Sequence, residues 1–239
     1  MKATSLEGLK VPFGIKHGRL YSPGQVDNGL RCGCHCPQCN AQLIANHPKR
    51  KRPYFAHHKA EECKGAYETA LHLMAKQIIE DTGKVVIPPI TLEITAETFS
   101  GFQVPERVAF KAREVELFNA TQELSVGRWR PDLTAQLKNS STVYIEILVS
   151  HAVEPEKAES LDNLMEIDLS QVEPDQVADL DTLVEIVTRK APRHWFNCSL
   201  YNEVRRVEHT KQKLESWEVS TILGQKVKSY SITIADSSI

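Results

Sequence analysis

A mixed α/β (α+β) protein fronted by a small cysteine-rich module is what the sequence predicts, on three observations. An amphipathic helical pattern runs from Ala66 to Thr82, a succession of alternating stretches follows Pro88-Pro89, and four of the six cysteines crowd between Cys32 and Cys39. With 239 residues, 41% of them hydrophobic, the chain is long enough to bury a core. No apolar run approaches the roughly 20 residues of a membrane helix, and the start lacks a signal peptide's apolar stretch. Membrane and secreted readings are therefore disfavoured, and clustered thiols suit a reducing cytoplasm.

Taken in order, the opening segment predicts short strands broken by Gly14, Gly18, Pro23-Gly24 and Asn28-Gly29, then the cysteine cluster and a basic stretch. In the helix, Leu71, Met74 and Ile78, with Ala75 and Ile79, recur at spacings of three and four, and Gly83 stops it. Alternation then predicts strands in TLEITAETF, in Val108–Phe118, in Arg130–Leu137 and in Thr142–Val149. Residues 150–165 predict a helical crossover opened by Pro155, leading to a strand over Met165–Ser170 that joins the sheet in parallel. Helices are expected over Asp179–Lys190 and Leu200–Trp217, with KVKSYSITI as an edge strand. The expected division is a module over 1–65, a core over 66–190 and a helical extension over 191–239.

Cys36-Pro37-Gln38-Cys39 is a C-x-x-C knuckle, which presents two thiolates to one metal ion. His57, His58 and Cys63 are the donors available to complete a tetrahedron. We assign Cys36, Cys39, His57 and Cys63 as a Cys3His zinc site, although Cys32 or Cys34 offers an alternative to Cys63. With no carboxylate beside the knuckle to act as a base, this zinc is read as structural.

In the strand Val143–Val149, Val143, Ile145, Ile147 and Val149 form one face, and Glu146 stands on the other between Tyr144 and Leu148. A carboxylate in so apolar a strand needs a cation, a proton or a metal to offset its burial. Asp132 lies fourteen residues upstream, a separation that lets adjacent antiparallel strands bring the two carboxylates together. Such a pair is the donor set that magnesium or manganese takes alongside phosphate oxygens.

Pro131-Asp132 followed by Glu146 resembles the PD-(D/E)xK nuclease superfamily. The knuckle, Tyr54-Phe55-Ala56-His57, the series Glu68, His72 and Lys76, Arg130-Pro131-Asp132-Leu133 and Ile145-Glu146-Ile147 narrow this to a resemblance to CoiA-like competence proteins, over about Cys32 to Ser170. The resemblance implies a restriction-endonuclease-like mixed sheet flanked by helices that cuts DNA with a divalent metal. It departs from the superfamily where a lysine is expected two residues after Glu146, since Leu148 stands there.

Glu68, His72 and Lys76 fall four apart on one helix face. Glu68 and Lys76 are about 12 Å apart along the axis, too far to ligate one ion, whereas Glu68 and His72 can share a site. His151 follows the Glu146 strand as a turn residue or a phosphate contact, and Lys157 lies in the first turn of the crossover helix. Lys157 is the first candidate to replace the missing lysine, and Lys76 the second.

Residues 1–65 hold eleven Lys and Arg against four Asp and Glu, while the remainder is acidic. Lys49, Arg50, Lys51 and Arg52, and the triplet Arg128-Trp129-Arg130, are the expected DNA contacts, supplying the sequence-independent part of phosphate binding. Trp129 is placed either in the core or stacked on an unpaired base. Two rival expectations are a DNA-binding module of the same fold that has lost catalysis, and a zinc-stabilised protein-interaction module.

Overall fold

A tight hairpin comes first among the described residues. β1 (Gly14–Lys16) and β2 (Arg19–Tyr21) pair antiparallel across His17 and Gly18, both at positive φ, as a two-residue hairpin turn requires. The computed structural model describes residues 11–59, 63–150, 153–202, 204–215 and 227–235. A second hairpin, β3 (Leu43–Asn46) with β4 (Tyr54–His57), sits over a small core of Val11, Cys32, Cys34, Cys36, Leu43, Ala45 and Phe55. Ala66, the first residue of α1 (Ala66–Thr82), belongs to that same small core.

Helix α1 runs as the spacing predicts, burying Leu71, Met74, Ala75, Ile78 and Ile79 and ending at Gly83, whose N–H reaches Ile79 O at φ +58. Its side chains enter the large core. Gln77 clasps the Leu20 backbone from this helix, accepting from its N–H and donating to its carbonyl, so β2 is pinned to α1.

The strands after Pro88-Pro89 divide among three sheets. β5 (Lys84–Ile87) pairs antiparallel with β8 (Arg113–Glu116), and β6 (Ile90–Thr98) pairs with β7 (Gln103–Phe110). The largest sheet comprises β9 (Phe118–Gln122), β10 (Leu133–Gln136), β11 (Thr142–Leu148), β12 (Leu164–Asp168) and β13 (Arg193–Asn197), with spatial order β13-β12-β11-β10-β9. Within it only β11 and β12 are parallel, joined through α2 (Pro155–Ser160). α3 (Pro174–Val177) and α4 (Leu180–Glu185) precede a π turn over Ile186–Lys190. α5 (Arg205–Lys213) and β14 (Val227–Ile234) follow, the latter an edge strand beside β6. This is a mixed α+β architecture of several small sheets and few helices, and none of its described helices is long and apolar enough to cross a membrane.

Four expectations are corrected. The single strand expected over Val108–Phe118 is the end of β7, all of β8 and the start of β9, in three different sheets, because exposed Lys111-Ala112 and buried Leu117 interrupt it. The crossover helix is only six residues long. The final segment is less helical than expected: β13 completes the largest sheet and β14 extends another, while the helix expected over Leu200–Trp217 spans Arg205–Lys213, the end of the expected range lying outside the described residues. Residue 65 is no seam either, since Ala66 packs in the front core while Phe13 and Leu20 pack in the large one.

Arg193 ties the end of the π turn to the sheets. Its guanidinium donates to the carbonyls of Ala191, Val86, Thr188, Ile186 and Val187 at 2.8–3.3 Å, and burial holds its pKa down to about 10. The carbonyls that a helix end leaves open are thereby satisfied by one side chain. Arg193→Ala is expected to destabilise the protein by about 2–4 kcal/mol in urea titration, with Arg193→Lys recovering only part of the loss because an ammonium lacks the planar fork.

Candidate functional site

Two clusters flank the start and middle of α1. The first is the knuckle set: Sγ of Cys36 lies 3.7 Å from Sγ of Cys63, and His57 Nε2 lies 3.3 Å from Sγ of Cys39 and 3.7 Å from Sγ of Cys63. All four ligand atoms fall within 4.8 Å of one another, and no second group of three or more such donors occurs among the described residues. Tetrahedral zinc with Zn–S of about 2.3 Å and Zn–N of about 2.0 Å spaces its ligands by about 3.5–3.8 Å, so the cluster can hold a metal such as zinc. Burial and the neighbouring thiols push the Cys63 thiol up to about 12, while the Ala41 amide holds Cys39 below its ordinary value. Anions packed this closely repel, and a dication removes the penalty.

Cys32 and Cys34, the alternative donors, are fully buried in the front core, where Cys32 donates to Leu43 O. Lying outside the four-donor cluster, they serve as small apolar side chains of that core. His58, the other histidine weighed, is not part of the cluster.

The second cluster forms where β10 and β11 part. Their last ladder partners are Leu133 and Ile145. Just beyond, the Ile147 N–H donates to Asp132 Oδ2 at 2.9 Å and the Asp132 N–H donates to Glu146 Oε1 at 3.3 Å. The two carboxylates thus take amides that no longer pair strand to strand.

Donors reach these carboxylates from both helices. His72 Nε2 of α1 donates to Asp132 Oδ2 at 2.9 Å; Lys76, one turn on and almost wholly buried, lies 2.7 Å from Glu123 Oε1 and 3.6 Å from Asp132 Oδ1. Lys157 of α2 lies 2.6 Å from Glu146 Oε1 and donates to Arg130 O at 3.1 Å. Burial alone would raise the Asp132 carboxyl, but the hydrogen bond and charge of His72, the Ile147 amide and Lys76 hold it below its ordinary value. Burial, then the Asp132 charge, raise Glu146 despite Lys157.

Glu123 was not foreseen. It follows β9 at positive φ, its N–H bonded to Asp132 O, and it accepts from Lys76 and pairs with Arg130. The bond from Lys76, before its charge, lowers its carboxyl pKa. The Glu-Leu-Ser string after an alternating stretch carries no sign of this; the only signal in the sequence is the need of Lys76, on the core side of an amphipathic helix, for acidic partners.

Glu68 is exposed and lines the same cleft as His72, Lys76 and Glu123, but does not join Asp132 and Glu146 in a donor group. His151 lies outside the described residues. Lys49, Arg50 and Lys51 are exposed on the β3–β4 loop, whereas Arg52 lies against Asp175 of α3. Arg128 stacks over the ring of half-buried Trp129, 4.4 Å from its centroid, and meets Glu156 at 3.1 Å; Arg130 bonds Glu123. Scans of this chain against family models, curated proteins and solved structures find no match.

The purified protein is expected to carry about one zinc per chain by elemental analysis. Cys36→Ser or Cys63→Ser should lose it and expose the front segment to protease, while Cys32→Ala keeps it and costs only about 1–2 kcal/mol of stability. Equal zinc content in Cys36→Ser would disprove the assignment.

Proposed function

We propose that the chain is a metal-dependent deoxyribonuclease of CoiA-like kind, hydrolysing phosphodiester bonds on a restriction-endonuclease-like core. The observation that carries this reading is the meeting of Asp132 and Glu146 at the parting of two sheet strands, with Lys76, Lys157 and His72 around them. The pattern fits the resemblance read from Pro131-Asp132 and Glu146, and the antiparallel β10–β11 pair followed by a parallel strand β12 fits the expected core.

Asp132 and Glu146 are the oxygen donors that would hold magnesium or manganese, whose part is to neutralise the scissile phosphate and make bound water more acidic. Two carboxylates at one strand parting, with burial and mutual repulsion raising Glu146, suit a hard cation. His72 and the Ile147 amide orient Asp132. Lys157 reaches Glu146 from α2 in place of the lysine that Leu148 displaces, and its ammonium is the group to orient the attacking water and meet phosphate charge. Lys76 supports Asp132 from the other side. The exposed Lys49, Arg50 and Lys51, with Arg128 and Arg130, provide phosphate contacts.

Leu148 favours a second reading, in which the same fold binds DNA without cutting it. Labelled DNA incubated with manganese separates the two. Asp132→Ala and Glu146→Ala should abolish cleavage with the fold intact by circular dichroism, and Lys157→Ala should lose ~10²–10³ in rate, one transition-state contact. Absence of cleavage by the wild type, with DNA still bound, would establish the binding reading; a gain in Leu148→Lys would mark a weakened nuclease.

A further inference from the structure

The cleft beside the carboxylates has walls from two parts of the chain that the sequence reading kept apart. Its volume is about 440 Å³, and Gln38, Thr69, His72, Leu73, Lys76 and Val149 are among its lining residues. Gln38 comes from the knuckle, between metal ligands Cys36 and Cys39. Its Oε1 accepts from Thr69 Oγ1 of α1 at 2.6 Å, which fixes the amide at the mouth of the cleft and leaves the two Nε2 hydrogens as donors.

We infer that this cleft is a pocket for one unpaired nucleotide of a DNA strand, with Gln38 of the metal knuckle as a hydrogen-bonding contact for it. The inference rests on the nuclease reading and names its substrate class. Three features support it. The volume is that of a small-molecule pocket, roughly 300–1,000 Å³, which accommodates a nucleotide.

The apolar surface of Leu73 and Val149 lies inside the cleft. The phosphates of a duplex already face outward, so it is the base that must leave the stack to reach that surface. The chemistry of the walls is also graded as a nucleotide is graded. His72 and Lys76 stand at one end with the carboxylates of Glu68 and Glu123, so a phosphate there enters with a divalent cation, while Leu73 and Val149 offer apolar surface to a base face and Gln38 and Thr69 offer polar atoms to a base edge.

The knuckle also explains why a metal cluster stands here. Cys63 lies three residues before Ala66, and Gly65 caps α1 in the left-handed region with Gln38 beside it. The metal ligands thus hold both Gln38 and the first turn of the helix that carries His72 and Lys76.

The test uses the full chain, with calcium in place of manganese to bind DNA without cutting. Fluorescence anisotropy compares a labelled single strand, a blunt duplex of the same sequence, and competition by a nucleoside monophosphate. The single strand is expected to bind at least about tenfold tighter than the duplex and to be displaced by millimolar monophosphate. Gln38→Ala should weaken single-strand binding about fivefold while leaving duplex binding and zinc content unchanged. Thr69→Val, which frees the Gln38 amide without touching the knuckle, should give a smaller loss in the same direction.

Equal binding of strand and duplex overturns the inference, as does single-strand binding indifferent to both substitutions, or a monophosphate that binds where no strand does. Cleavage in manganese without strand preference sinks this inference and leaves the nuclease. Strand preference without cleavage does the reverse.

Discussion

Two carboxylates at the parting of β10 and β11 set the terms for the rest of the structure. Asp132 and Glu146 take the amides of Ile147 and Asp132 that the strand ladder no longer uses, so their side chains finish the hydrogen bonding where the two strands part. Burying a pair of like charges costs several kcal/mol unless cations are brought in. The carboxylates' partners come from opposite directions, Lys76 and the His72 ring N–H from α1 and Lys157 from α2, and each helix is thereby tied to the sheet end it faces. Glu123 completes the balance, because a lysine as buried as Lys76 needs a strong acceptor of its own.

The metal knuckle belongs to the same arrangement. Ala66 lies in the front core, and Leu71, Met74 and Ile79 of the same helix lie in the large one, so α1 is shared between the two. A four-ligand cluster just before the helix fixes where it begins, and with it the depth at which His72 and Lys76 meet the sheet. The Gln77 clasp on Leu20 and the ion pair of Arg19 with Asp81 hold the far half of the helix against the opening hairpin. The helix cannot slide along its axis without breaking one end or the other.

Away from the cleft, the largest sheet is closed by residues far along the chain. Asn163, at positive φ, donates to Thr142 O and accepts from the amides of Ser199 and Leu200, joining the start of β11, the entry to β12 and the segment after β13. Arg193 collects five carbonyls from the π turn, from Ala191 just after it and from β5. Both work because a backbone polar group out of water costs free energy when unpaired. A strand and an arginine, rather than a helix, are what residues 191–197 contribute.

Much of this was legible in the sequence wherever the signal is local. Alternation placed Glu146 opposite the apolar face of Val143, Ile145 and Ile147, spacing placed Leu71, Met74 and Ile78 in the core, and the knuckle with His57 and Cys63 named the four donors that cluster where they could hold a metal. The break of Val108–Phe118 into three sheets was not legible, since Leu117 continues the alternation by type while its backbone turns away to Gly83. Cys32 and Cys34 share the front core with Cys36 and differ from it in lying outside the four-donor cluster, which spacing along the chain does not record.

By itself, then, the sequence determined the helix α1, the strands that carry Asp132 and Glu146, and the donor set of the knuckle, because periodicity and short spacing are properties of contiguous residues. The tertiary structure alone decided that Lys76 divides itself between Glu123 and Asp132 and that Gln38 enters the cleft. Those meetings join residues 31 to 56 positions apart, and a contact at that range is fixed by how sheets and helices close on one another, which no local pattern records.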